Sequence, residues 1–400
     1  MPRRPALPAL SVLRILSALL VAVAPAAGAQ LTIRLPALPP GTPAGATVYV
    51  AGTFNGWRPG ASGWALAPTP GGGLALTLPD SVRGPVAFKL TLGRWERVEV
   101  GPGGADVPNR TVVVPAAGAR TVTAAVAGWR TGPGPARGST RSPNVRVLAD
   151  AFPAPALGGP RRVWVYLPPG YARSTARYPV LYVQDGQNVF DAATSFSGEW
   201  GADEALDSIA AAGGPAAIVV AVDHGGAARV AEYTPWRSAD PRLAGSGRGN
   251  AYVRFLAGTL KPYVDAHFRT RPGPADTRVL GSSLGGLVSL YAALRYPATF
   301  GGAGVFSPSV WTARDSTVAL ARGAGRAARR AGVPAPRVYL VSGTDEGTAG
   351  SVGRDQGRVA AALRAGGTTR VAARVVPGGR HEEAFWRREF PAAYVWLFAR

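Results

Sequence analysis

A serine flanked by glycines, in Gly281-Ser282-Ser283-Leu284-Gly285-Gly286, separates a short apolar strand from an apolar helical run, Leu284 to Arg295. The chain can pass from strand to helix at Ser283 only through a strained turn, and glycines two residues either side let neighbouring backbone come close. The helix N-terminus then presents unpaired N–H groups and a partial positive charge just beyond the serine. The bare pattern is a weak signal. With 53 Gly in 400 residues, a G-x-S-x-G is expected by chance in roughly a third of such chains. Its context and partners must decide.

The partners follow by elimination. The chain has three histidines, His224, His267 and His381. Where a triad serves a serine on this kind of turn, the chain order is Ser, then Asp or Glu, then His, so only His381 qualifies. It lies in Pro377-Gly378-Gly379-Arg380-His381-Glu382-Glu383, just after the β-rich run Thr369 to Val376, in a loop beyond a strand end. Between Ser283 and His381 the carboxylates are Asp315, Asp345, Glu346 and Asp355. Asp345 and Glu346 directly follow the apolar run Val338-Tyr339-Leu340-Val341, so these two are the candidates and spacing alone leaves both open. His224, in Asp223-His224-Gly225-Gly226, reads as a loop histidine, and His267 as a structural residue of the helical run Leu260 to Phe268.

Composition excludes other chemistries. The chain has no cysteine, which removes disulfides, thiol catalysis and thiolate metal sites. Three scattered histidines argue against zinc, so neither metal nor cofactor is expected. The net charge of +21 is almost all arginine, with Lys89 and Lys261 the only lysines. The arginines are spread without a run of five, which reads as solvated surface and not as a nucleic-acid-binding face. Residues 1–29 read as an export signal: Arg3 and Arg4, a short apolar core from Ile15 to Val23, and the A-x-A site Ala27-Gly28-Ala29 before Gln30. A secreted or periplasmic protein follows, with no stable membrane insertion after cleavage.

Residues 30–130 contain short alternating strands between Gly/Pro clusters, such as Thr47-Val48-Tyr49-Val50 and Ala87-Phe88-Lys89-Leu90. This pattern predicts a small all-β, immunoglobulin-like sandwich. Residues 131–143 form a Gly/Pro-rich linker. From 144 to 400, apolar strands alternate with helical stretches, which predicts an α/β domain with a mostly parallel central sheet covered on both faces.

The second part resembles the putative-esterase family of α/β-hydrolases, which includes feruloyl, acetyl xylan and enterochelin esterases and mycolyltransferases. The likeness covers about residues 145–400. It rests on the run from Tyr178 to Asp191, on Glu232-Tyr233-Thr234-Pro235, on the turn at Ser283, on Phe306-Ser307-Pro308-Ser309, and on the histidine segment through Trp386 and Phe390-Pro391. The resemblance implies a serine ester hydrolase forming an acyl-enzyme, with Ser283 as nucleophile and His381 as base. Relatives carry the acid as the fourth residue of a G-T-x-[DE] stretch. In Gly343-Thr344-Asp345-Glu346 that residue is Glu346, with Asp345 the alternative. It also implies an oxyanion hole from the Leu284 N–H and one N–H of Gly186 or Gln187, while Asp185 and Gln187 either shape that loop through side-chain hydrogen bonds or only cap a turn. Glu232 to Pro235 would be a loop on the substrate side. Trp200 and Trp311 read as core residues. An acyltransferase with the same triad, or a glycan-binding protein without activity, are the competing readings.

The front part resembles glycogen- and starch-binding β-sandwich modules, through Val48 to Trp57 and Phe88 to Trp95. In glycan-binding relatives two tryptophans, a lysine and an asparagine form the platform, and Trp57, Lys89, Trp95 and Asn109 occupy corresponding places. The resemblance implies a polysaccharide partner, or a module that only braces its neighbour. The substrate implied is a small or carbohydrate-linked ester.

Overall fold

The structure, a computed structural model, describes residues 30–399 apart from 56, 106, 108, 132–137, 196–197, 241–242, 244, 348–349 and 369. The expected export signal, residues 1–29, lies outside the described residues. No helix among the described residues is long and apolar enough to cross a membrane.

The second part is built on one eight-stranded sheet. Its strands are β1 (Val145–Phe152), β2 (Arg161–Tyr166), β3 (Val180–Gln184), β4 (Ile218–Val222), β5 (Thr277–Ser282), β6 (Gly302–Phe306), β7 (Arg337–Gly343) and β8 (Val371–Val376). They lie in the order β1-β2-β4-β3-β5-β6-β7-β8. The β1–β2 and β2–β4 pairs are antiparallel and every other pair is parallel. Along β3, Val180 and Tyr182 join one apolar core while Leu181 and Val183 join another. A period of two with both faces apolar is what a sheet covered on both sides requires. Helix α2 (Leu284–Arg295) packs into the first core, and α1 (Ala202–Ala211) and α3 (Glu383–Phe398) into the second. The mostly parallel α/β sheet expected from the sequence is present.

Strand order reverses around β3, which has β4 on one side and β5 on the other. In open α/β sheets ligands bind beyond the carboxyl ends of the strands at such a switch point. The segments after β3, β5, β7 and β8 carry Gly186, Ser283, Glu346 and His381 respectively.

Residues 30–129 hold short strands and 3-10 turns, with no α-helix among the described residues. A four-stranded sheet contributes Leu31, Ile33 and Leu35 to one core, and a three-stranded sheet adds Val86, Phe88 and Leu90. Buried Glu99 ties these strands together. Its carboxylate accepts from Leu90 N at 2.9 Å and from Arg110 Nη2 at 2.7 Å. The Trp57 and Trp95 rings lie 6.3 Å apart at 37° and are half-buried, outside that core. Lys89 and Asn109 are also half-buried.

Two expectations change here. Trp200 is in the core, 5.2 Å from the Phe306 ring, but Trp311 is 41% exposed. It sits in the one-turn 3-10 helix Val310–Thr312, whose inward position is taken by fully buried Val310. The end of the expected linker is also held down. Ser139 Oγ donates to Asp191 Oδ2 at 2.8 Å, and Ser142 N to Asp203 Oδ2 at 2.6 Å.

Candidate active site

Four non-glycine residues among those described have a left-handed φ, and three of them, Asp185, Ser283 and Ser307, stand at carboxyl ends of neighbouring strands β3, β5 and β6. Backbone held in this region is costly and persists only where its surroundings enforce it. Ser283 has φ 57° and ψ −121°, between the end of β5 and the first residue of α2. Its N–H donates to Phe306 O at 2.9 Å, which pins the turn against β6. The flanking glycines are required by space. A Cβ on Gly281 would come within 2.7 Å of the Gly285 carbonyl, and one on Gly286 within 2.9 Å of Phe306 O.

Ser283 Oγ lies 3.0 Å from His381 Nε2. His381 Nδ1 lies 3.0 Å from Glu346 Oε2. Glu346 is completely buried, and its other oxygen accepts from Ser307 Oγ and from Gly343 N, both at 2.7 Å. Ser307 in turn accepts from Trp386 Nε1 at 2.9 Å, and the Trp386 ring meets the His381 ring edge-on at 5.1 Å. Asp345, the alternative acid, is exposed and accepts from its neighbour Thr344 Oγ1 at 2.9 Å. The structure thus brings Glu346, and not Asp345, to His381. Ser309, seen in the sequence only as part of a pattern, adds a contact, with its Oγ 3.1 Å from Ser283 Oγ.

The loop after β3 stands beside this row. Asp185 is left-handed, and Gly186–Asn188 form a 3-10 turn closed by Asn188 N donating to Asp185 O at 2.9 Å. Gly186 has no room for a side chain, since a Cβ would lie 2.8 Å from the Val222 carbonyl carbon at the end of β4. The Asp185 carboxylate accepts from Arg229 Nε at 2.7 Å and Nη2 at 2.8 Å. Burial works to raise its pKa, but the Arg229 charge and hydrogen bonds prevail and hold it below the ordinary carboxylate value. Gln187 Oε1 accepts from His224 N at 3.4 Å, and His224 Nδ1 accepts from Gly226 N at 2.9 Å. His224 thus braces a turn.

Of Glu232 to Pro235, the first two residues belong to a short helix and Thr234 and Pro235 follow it. Arg229–Tyr233 is a short helix in which Glu232 is buried against Arg161, and Tyr233 Oη accepts from Asp185 N at 3.2 Å. Tyr233 thus supports the backbone of Asp185. His267, as expected, is structural, stacked 3.9 Å from Tyr263. Beside His381, burial pushes the Glu383 carboxyl up to about 7.

Among the described residues, one group of carboxylates comes close enough to share a cation, Glu199, Asp203 and Glu204. The row at Ser283 contains no such group. What it can do is pass a hydroxyl proton to an imidazole whose far nitrogen is held by a buried carboxylate.

The family model described as Putative esterase matches residues 154–397. Among curated proteins, uncharacterized protein YbbA of Bacillus subtilis is 30% identical over 156 residues, 38% of this chain and 58% of that protein. An alpha-amylase of Niallia circulans is 41% identical over 93 residues, 23% of this chain and 7% of the amylase. The chain therefore spans less than two thirds of either curated relative. Among solved structures, the enterobactin esterase FES of Shigella flexneri matches with a TM-score of 0.51 at 18% identity, over 92% of each chain. At that identity the likeness is one of fold. A family model spanning nearly the whole strand-and-helix part of the chain makes it a member of the Putative esterase family.

Proposed function

We propose that this chain is an exported serine ester hydrolase acting through Ser283, His381 and Glu346. The observation that carries the proposal is the unbroken row from Ser283 Oγ through His381 to Glu346, with both links at 3.0 Å, on a serine held at a left-handed φ. Ser283 Oγ attacks the ester carbonyl carbon while His381 Nε2 takes its proton. Glu346 fixes the imidazole with Nδ1–H towards itself and stabilises the imidazolium. The tetrahedral oxyanion collapses, the C–O bond to the alcohol breaks, and His381 returns the proton to the departing oxygen. Water, activated by the same imidazole, then attacks the acyl-enzyme and releases the acid.

The oxyanion needs donors already in place. Leu284 opens α2, so its N–H has no acceptor within the helix. Gly186 and Gln187 open the 3-10 turn after β3, ahead of its first backbone bond. One such donor is worth about 3–4 kcal/mol in the transition state. The Ser309 hydroxyl can donate to Ser283 Oγ, leaving the serine proton to His381.

The front part is proposed as a β-sandwich module with Trp57, Lys89, Trp95 and Asn109 on its glycan-facing side. The match to 93 residues of an alpha-amylase favours a carbohydrate-linked substrate. It also keeps acyl transfer to a sugar hydroxyl as the second reading.

The test is a screen of purified protein against acetyl, feruloyl and longer-chain esters, with Ser283→Ala as the blank. A serine-directed phosphonate should label the wild type once, at Ser283. Turnover by Ser283→Ala or labelling elsewhere would sink the nucleophile. Product analysis with a sugar acceptor present separates transfer from hydrolysis. Export is tested by the mature N-terminus, expected at Gln30.

A further inference from the structure

Although the chain carries a net charge of +21, five of its 23 acidic residues fall within residues 191–207, a stretch with no Lys or Arg. They are Asp191, Glu199, Asp203, Glu204 and Asp207. Three of them meet at the start of α1, where Glu199, Asp203 and Glu204 bring one carboxylate oxygen each to within 4.8 Å of the others. Asp203 is completely buried. Its Oδ2 accepts from Ser142 N at 2.6 Å, while its Oδ1 has no hydrogen-bond partner among the described residues. Glu204 Oε2 is likewise buried and unpartnered among them. The Glu199 side chain is 6% exposed, with Arg387 Nη1 3.6 Å from its Oε2.

Like charges gathered away from water are unfavourable unless a cation or a proton sits among them. One half-exposed guanidinium beside Glu199 leaves Asp203 Oδ1 and Glu204 Oε2 unanswered among the described residues. Carboxylate oxygens alone select a hard cation. Ca2+ takes about six to eight oxygens in flexible geometry and suits several protein carboxylates, whereas Mg2+ keeps most of its waters and is held by only one or two carboxylates.

We propose that Glu199, Asp203 and Glu204 form a calcium-class divalent-cation site, outside the Ser283 site, that locks residues 139–142 onto the start of α1. The lock is direct. Thr140 Oγ1 donates to Glu199 Oε1 at 2.8 Å, and Ser142 N donates to Asp203. Fixing these carboxylates fixes the acceptors that hold the segment between the two parts of the chain.

The competing occupant is a proton shared by Asp203 and Glu204, since burial together with the neighbouring Glu204 charge pushes the Asp203 carboxyl up to about 7. Full-length protein is therefore stripped with EDTA and titrated with CaCl2 at pH 8 by calorimetry, with melting followed in parallel. The expected result is one Ca2+ bound per chain and a Tm raised by about 3–8 °C at a hundred times Kd. Glu204→Gln and Asp203→Asn should each weaken binding at least tenfold. If Asp203→Asn does not fold, Glu204→Gln alone gives the reading. No binding heat and no Tm response in the wild type would overturn the proposal in favour of the shared proton. Undiminished binding in Glu204→Gln would overturn it by moving the ion elsewhere. An equal response to MgCl2 would overturn the calcium-class assignment.

Discussion

His381 Nδ1 and Glu346 Oε2 meet at 3.0 Å across 35 positions of chain, and the second oxygen of Glu346 is held by Ser307 Oγ and Gly343 N. With both oxygens occupied, the carboxylate has one orientation to offer. Asp345 points elsewhere, although it follows the same strand.

The first prediction separates these neighbours. Glu346→Gln removes the charge that stabilises the imidazolium and permits the wrong tautomer, so kcat should fall by about 10^3–10^4 with KM little changed. Asp345→Asn should stay within about twofold, since that carboxylate is solvated. Steady-state kinetics on one ester decide it, and the reverse ranking would move the acid to Asp345.

Ser307 carries the second prediction. Its hydroxyl donates to Glu346 and accepts from Trp386 Nε1. Ser307→Ala leaves a buried indole N–H without a partner, at a cost of about 1–3 kcal/mol. It also frees one side of Glu346. We expect kcat to drop about tenfold with KM unchanged, together with a lower Tm. A lower Tm with wild-type kcat would make Ser307 structural only. Trp386→Phe, which keeps most of the ring and loses the donor, should reproduce the stability loss with a smaller effect on kcat.

Much of this site was legible in the sequence because the chain offers few choices. Three histidines and four intervening carboxylates leave little to eliminate, and the turn at Ser283 stands out because its glycines fall between a strand and a helical run. The supports were not legible for the opposite reason. Arg229 reaches Asp185 across 44 positions, and nothing distinguishes it from the other arginines of an arginine-rich chain. Ser307 and Trp386 were seen as parts of a pattern, but their bond spans 79 positions and depends on how α3 packs against β6. Trp311 misled because an aromatic residue does not reveal which side of a single 3-10 turn it takes. The Arg161–Glu232 pair was not legible, because a buried ion pair looks like loop polarity until Arg161 is placed beside it.

The third prediction concerns pH. Burial pushes the Asp223 carboxyl up to about 6, against a hydrogen bond from Trp164 Nε1 at 2.8 Å that pulls it down. An unfolded aspartate titrates near 4, so between about pH 4 and 6 the folded chain keeps a proton the unfolded chain has lost. Stability from this group is therefore full below that window and falls as pH rises through it. Asp223→Asn keeps an acceptor for Trp164 and removes the titration. Urea unfolding should find the variant about 1–2 kcal/mol more stable than wild type at pH 8 and indistinguishable at pH 4. A variant no more stable than wild type at pH 8 would show that the carboxylate is not unfavourable where it stands.

The last prediction concerns the front part, where the two tryptophans discriminate between a platform and a brace. Trp57 and Trp95 lie side by side, half-buried and outside the core that Leu31, Phe88 and Leu90 define. An indole face stacks on the apolar C–H face of a sugar only if that face is reachable. In the full-length protein, Trp57→Ala with Trp95→Ala should shift Tm by only a few degrees, because neither ring fills the core. Truncation of a core tryptophan would instead cost about 3–5 kcal/mol each. If the pair is a platform, wild type should be retained on starch or glycogen and the double variant should pass through. Turnover of a small soluble ester should be the same in both, since that reaction needs only the site around Ser283. Unchanged melting with no glucan retention in wild type would leave the module as a brace or assign it a different polysaccharide. A large drop in Tm would place both rings in the fold and end the platform reading, whatever sugar was tried.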